Sequence, residues 1–188
     1  MQPKGWLGPW ISESGVTPDL LQEPGHVYLL DWCHDDQPVW FSTRHGRILS
    51  VPYPQEVNDI PAIVTRQTTA PEFAAVIIDQ FEEMRRQSQH QPLVMGMALH
   101  PYIVGQAHRV RHLRRALTRI AATRYALWLT MPGEIARFPR DPGTAHCSDD
   151  RGDLGLPATT NRGSEDRPHR GCAIALHPTS DRRRAERG

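Results

Sequence analysis

Two apolar runs, VYLLDW at residues 27–32 and LVMGMALH at 93–100, are bounded by Gly, Pro or charged residues. Continuous runs of this length are the pattern of strands covered on both faces. YALWLT at 125–130 reads as a third. Between the last two, Val110, Leu113, Leu117, Ile120 and Ala121 recur at helical spacing, while Arg109, Arg111, Arg114, Arg115 and Arg119 fill the remaining positions. The spacing predicts an amphipathic helix with a basic outer face. A second helix is expected from about Ala70 to Gln89, with Thr69 as N-cap, Pro71 in the first turn and Phe73, Ile77, Phe81 and Met84 inward. Glu82 and Arg86 would pair on its outer face at i,i+4. A short helix over 17–23 is announced by Thr17-Pro18-Asp19 and stopped by Pro24-Gly25 ahead of the first strand. Helix then strand thus repeats along the chain, which argues for α/β architecture with parallel strands.

From about Arg140 the pattern is lost. RDPGTAHCSDDRGDLGLPATTNRGSEDRPHRG and TSDRRRAERG are rich in Arg, Asp, Gly and Pro and show no period. They lack the apolar surface that offsets the entropy of ordering. Residues 139–188 are therefore expected to be a disordered tail behind a folded unit at 1–138. The apolar island CAIALHP within the tail echoes MALHP without amounting to a repeat. A chain of 188 residues fits one domain. Its 22 basic and 21 acidic residues leave a net charge of +1, with no global field to attract nucleic acid or an anionic membrane. Three cysteines, Cys33, Cys147 and Cys172, make an odd count without a CxxC pair, so a reducing, cytoplasmic setting is the expectation. No charged segment precedes an apolar one at the amino terminus, and no apolar run approaches the ~20 residues that span a bilayer. Neither a nucleic acid nor a membrane is expected as partner.

In parallel α/β sheets ligands meet the loops at the carboxyl ends of strands, because those loops converge on one face. Here the first strand runs into DWCHDDQPVW and the second into HPYIVG. His34, Asp35, Asp36 and His100 could then share a pocket with Asn58 and Asp59 of the long loop PYPQEVNDIPAIV. An imidazole at a strand end, fixed by the following Pro101, can exchange a proton near neutral pH, making His100 a candidate general acid or base. The same ring would equally serve as a boundary residue bonded to nearby backbone. Asp35 and Asp36 beside Pro38 would by default be a solvated turn pair. Trp6, Trp10, Trp32 and Trp40 could stack on a sugar or fill a core. His108 and His112 stand at i,i+4, a metal-site spacing that their arginine neighbours oppose. No three metal ligands with suitable spacing precede the tail.

PKGWLGPW, then YLLDWCHDDQPVW, then SVPYPQEVNDIPAIV, then LHPYIVGQAHRVRHLRRAL occur in that order from Pro3. Together they resemble the polysaccharide deacetylase superfamily (carbohydrate esterase family 4), in the subgroup that includes cofactor-independent allantoinases. The likeness covers Pro3 to about Ile135. It implies a distorted β/α barrel and hydrolysis of non-peptide C–N bonds, in an N-acetylated sugar or a ureide-like small molecule. His100 matches the later LHP-type motif, whose histidine acts as acid in such enzymes. Trp6, Asp36, Trp40, Asn58 and Asp59 match substrate-pocket loops. Many full-length relatives bind a divalent metal such as zinc through an Asp and an HxxxH pair; these elements lie upstream of the RPxGW segment and are not in this chain. The resemblance thus implies a partial barrel, its carboxyl-terminal half, with no metal site of its own, and a tail whose composition fits out-of-frame reading of GC-rich DNA. Two functions follow: a deacetylase-like hydrolase completed by a missing amino-terminal half, or a non-catalytic remnant that binds a carbohydrate or small ligand. An open sheet edge would favour a homo-oligomer.

Overall fold

The computed structural model of the chain describes residues 3–137 and 172–176. Its first sheet is built from β1 (Gly5–Trp6), β2 (Tyr28–Leu29), β3 (Val39–Thr43) and β4 (Gly46–Ser50). The spatial order is β1, β2, β4, β3. The first three in that order run parallel, and β3 folds back on β4 as an antiparallel hairpin. The 27–32 run contributes only two residues to strand, because Asp31 and Trp32 turn away to bind the segment after β1. The hairpin is not announced by any glycine-rich two-residue turn; its register pairs Trp40 with Leu49 and Phe41 with Ile48. Alternation then sends Leu49 into one apolar cluster with Val51 and Val94, and Ile48 into another with Leu21 and Leu29.

α1 (Thr17–Gln22) precedes β2, and α2 (Ala70–Gln87) precedes β5 (Leu93–Met97). α2 starts in the expected way. Thr69 N–H donates to Glu72 Oε2 at 2.9 Å, and the side chains of Thr69 and Glu72 close a capping box. Phe73, Ile77, Phe81 and Met84 are all buried, as the spacing requires. The outward pairing is shifted by one residue: Glu82 bonds Arg85 and Arg119, while Arg86 bonds Glu83. After β5 come the short α3 (Pro101–Val104) and the basic helix α4 (Ala107–Ala121). Here the inward stripe is rotated from its expected position. Ala116 and Ile120 are buried with Leu113 packed beside them, whereas Leu117 is 39% exposed and Ala121 lies outward. A small residue at 116 lets α4 lie close against α2, and Arg115 reaches across to the Pro71 carbonyl at 3.2 Å.

β6 (Leu127–Thr130) and α5 (Pro132–Arg137) follow. β6 does not join β5 directly. β7 (Cys172–Leu176) lies between them, antiparallel to both, giving the order β5, β7, β6. β5 and β6 therefore run in the same direction, as a crossover helix requires, but are not neighbours. The island CAIALHP, assigned by its surroundings to a disordered tail, is a strand over most of its length. Five consecutive apolar residues match the two unpaired edges facing them, and local composition carries no sign of those edges. The remaining tail positions, 138–171 and 177–188, lie outside the described residues. The chain is thus mixed α/β with two open sheets among the described residues. No helix there is long and apolar enough to cross a membrane.

Candidate active site

β5 ends at Met97 because the next residues take a new partner. Ala98 N–H donates to the Val57 carbonyl and Asp59 N–H to the Ala98 carbonyl, both at 3.1 Å. Asn58 and Ala98 form a parallel bridge. This short ladder brings Asp59 level with His100. Gly96 permits the approach: a Cβ there would come within 2.7 Å of Pro54 Cδ, so the loop at 52–59 rests on strand backbone.

Asp59 is completely buried. Its Oδ2 accepts the His100 backbone N–H at 2.7 Å, and its Oδ1 lies 2.6 Å from His100 Nδ1. A carboxylate only accepts, so the ring carries its proton on Nδ1 and turns Nε2 to the opposite side. The His100 side chain retains 34% exposure, and the Tyr102 ring, 67% exposed, stands edge-on to it with centroids 5.6 Å apart. The result is an imidazole of fixed tautomer and orientation with one nitrogen directed away from the core.

A separate cavity of about 170 Å³ opens on the Val94 and Gly96 face of β5, with Cys33, His34, Asp36 and Glu56 among its walls. His34 and Asp36 both adopt left-handed backbone, with φ of 52° and 65°. The Asp36 carbonyl accepts from Val94 N–H at 2.8 Å, which holds the loop against the strand. Burial raises the Asp36 carboxyl above the ordinary range, and the neighbouring Glu56 and Asp35 carboxylates add to it. Burial likewise raises the Cys33 thiol, helped by Glu56 and Asp36. His34 is pushed down by burial against the pull of Asp35, and its Nε2 lies 2.7 Å from Ser50 Oγ.

The single pocket expected from the strand ends is therefore two places. Asp36 and His34 line the cavity; His100 does not. Asn58 is buried and spends its Oδ1 on Ile60 N–H at 3.1 Å, bracing the loop. Asp59 has no surface to offer a substrate and supports His100 instead. Trp40 packs with Leu49, Val51, Val94 and Ile135, since its place on β3 faces that cluster. Trp6 meets His26, in the turn that enters β2, edge-on at 6.2 Å. Glu56 and Cys33 are cavity residues that the sequence does not single out; Glu56 stands three residues before Asp59 in the same loop. Among the described residues no group of three His, Cys, Asp or Glu side chains is arranged to hold a metal ion. These side chains do not fit a divalent ion.

No family profile and no curated protein matches the chain. Solved structures do. The Puue allantoinase is 25% identical, with a TM-score of 0.65 over 72% of this chain and 45% of its own. A protein from Pseudomonas aeruginosa PAO1, described as a probable polysaccharide deacetylase, is 24% identical with a TM-score of 0.66 over 75% of this chain and 48% of its own. A protein from Mycobacterium smegmatis assigned to the same group has 19% identity and a TM-score of 0.60, over 73% of this chain and 49% of its own. The chain spans about half the length of each. Ordered motifs and shared fold alike make the chain similar to an allantoinase and to polysaccharide deacetylases of known structure.

Proposed function

We propose that the chain carries the proton-donating half of a site that hydrolyses a non-peptide C–N bond, in an N-acetylated sugar or a ureide-like amide. The observation that carries this reading is the pair Asp59 and His100, a fully buried carboxylate gripping both the backbone N–H and the ring of a half-exposed imidazole. In amide hydrolysis the amine leaves only when protonated, as the tetrahedral intermediate collapses. His100 serves as the imidazolium in this scheme: Nε2, protonated from solvent beforehand, gives its proton to the departing nitrogen, and the ring returns to the neutral Nδ1–H tautomer. Asp59 accepts the Nδ1–H bond throughout, keeping the tautomer and stabilising the imidazolium while it exists. Water activation then falls to groups outside the described residues, so a partner chain or segment completing the barrel is part of the proposal. The odd number of cysteines supports a reducing, cytoplasmic setting.

A binding module for a carbohydrate or small ligand is the second reading, favoured by the polar cavity walled by Asp36, Glu56 and His34 beside β5. One experiment separates the two. The chain is combined with a separately expressed amino-terminal portion of a deacetylase of this fold, and release of acetate from N-acetylated chito-oligosaccharide and turnover of allantoin are followed. Hydrolysis that His100→Ala lowers by ~10²–10⁴-fold, the usual scale for a general acid, supports the enzyme. A His100→Ala protein that is destabilised but equally active per folded molecule would end the catalytic assignment.

A further inference from the structure

Gly8, Glu13, Asp31 and Trp32 form a cluster remote in sequence from the Asp59 and His100 pair. The Gly8 backbone N–H donates to Asp31 Oδ1 at 2.6 Å. The Trp32 indole N–H donates to Glu13 Oε1 at 2.5 Å. Each carboxyl thus has one oxygen satisfied by a neutral donor. The other two, Asp31 Oδ2 and Glu13 Oε2, are both buried and bond to no N–H or O–H among the described residues. Asp31 is only 7% exposed. Two carboxylates with orphaned buried oxygens side by side are unstable unless something lies between them.

We propose that Glu13 and Asp31 share a single proton, which latches the segment from Gly8 to Glu13 onto the carboxyl end of β2. The proton on Glu13 Oε2 donates to Asp31 Oδ2, so both orphan oxygens are satisfied by one hydrogen. Between the two anchor points the backbone is strained. Trp10 and Ile11 are consecutive non-glycine residues with φ of 57° and 54°. Trp10 is 89% exposed and gains little from its own surroundings. Turn bonds from Ile11 N–H to the Gly8 carbonyl at 3.0 Å and from Ser12 N–H to the Pro9 carbonyl at 3.2 Å shape this stretch, and the anchors at Gly8 and Glu13 tie its two ends down. Gly8 is itself fitted to the site: a Cβ there would meet the Ser12 carbonyl oxygen at 2.5 Å and both Asp31 carboxylate oxygens at 3.2 Å. Because the segment leaves β1 on the same side as the loops that follow β2, loss of the proton frees Trp10 on the face toward which the sheet's carboxyl ends open.

Burial pushes both carboxyls upward, and for Glu13 the negative charge of Asp31 adds to it. A raised folded-state value means the contribution to stability is complete below the ordinary carboxylate range, near pH ~4, and is lost as pH rises through the raised value. The two groups that donate to the pair, Gly8 N–H and the Trp32 indole, are neutral. His34 stacks on Trp32 with centroids 6.3 Å apart, and burial holds its pKa down against the pull of Asp35.

Trp32 is a built-in reporter. Its indole N–H resonance, assigned through Trp32→Phe, is followed from pH 4 to 9 in the full chain and in a His34→Gln background. The expected result is a one-proton transition above the ordinary carboxylate range, accompanied by about tenfold faster chymotryptic cleavage after Trp10. Glu13→Gln supplies a permanent donor to Asp31. It should abolish the transition, keep cleavage slow and raise the melting temperature above that of the parent on the alkaline side. Asp31→Asn, which donates to Glu13 instead, serves if Glu13→Gln does not fold. A flat resonance, a transition unchanged by Glu13→Gln, or a transition that moves with added calcium or EDTA would overturn the proposal.

Discussion

Asp59 is completely buried and, among the described residues, spends both carboxylate oxygens on one histidine, so its effect on His100 can be tested by mutation. Asp59→Asn keeps the volume but offers an N–H where an acceptor is needed, turning the ring or its tautomer. In the proposed hydrolase, tested with the complementing portion, it should lower kcat by ~10²-fold or more, with KM little altered. Either substitution breaks the pair, so both should unfold at lower denaturant: Asp59→Asn sets an amide N–H against the ring N–H, and His100→Ala leaves the buried Asp59 Oδ1 without its partner. Gly96→Ala tests the neighbouring contact. A Cβ pressed to 2.7 Å from Pro54 must displace the loop that carries Asn58 and Asp59, for ~1–3 kcal/mol of stability and a weakened grip on His100. The place of His100 after a strand was legible in the sequence because a polar residue following an apolar run is conspicuous. The role of Asp59 was not: NDIP reads as loop, and only the pairing of 57–59 with Ala98 turns that loop into the support of a ring 41 residues away.

At the level of elements, α2 shows how far local pattern reaches. Its cap, its proline in the first turn and its four inward residues all follow from spacing alone, because a helix declares its face every three to four residues. Thr69→Ala removes the capping box and should cost about 1 kcal/mol, read from chemical denaturation. The basic helix α4 is less legible. Its apolar residues are few, and the stripe could be drawn through Leu117 or through Ala116. The close contact with α2 selects the smaller residue. Ala116→Leu should then destabilise by ~1–3 kcal/mol, since a fully buried alanine between two helices has no room for three more carbons. Leu117→Ala, at a position 39% exposed, should cost well under half of that.

For the whole molecule, the decisive arrangement is the strand β7 between β5 and β6. Removing residues 138–188 leaves β5 and β6 with facing unpaired edges and takes away the cross-strand pairs, each worth ~0.2–1 kcal/mol. A loss of about 2 kcal/mol or more is expected, seen as a melting temperature lower by ~4–8 °C for a chain of this size. An unchanged melting temperature would show that the tail contributes nothing to stability. Composition could not foretell the strand, because an apolar pentapeptide inside a polar, proline-rich surround looks like noise until its partners are known. The same placement sets a limit on speed. Leu176 pairs with both Leu93 and Leu127, so the second sheet can close only after a loop of some eighty residues has been drawn in. The first sheet and the two packed helices rest on nearer contacts and should assemble early, leaving a half-built intermediate with two bare strand edges waiting for their third member. During that interval another chain's β7 can fill the gap as readily as the molecule's own, so dilute refolding should yield monomer and concentrated refolding exchanged dimers.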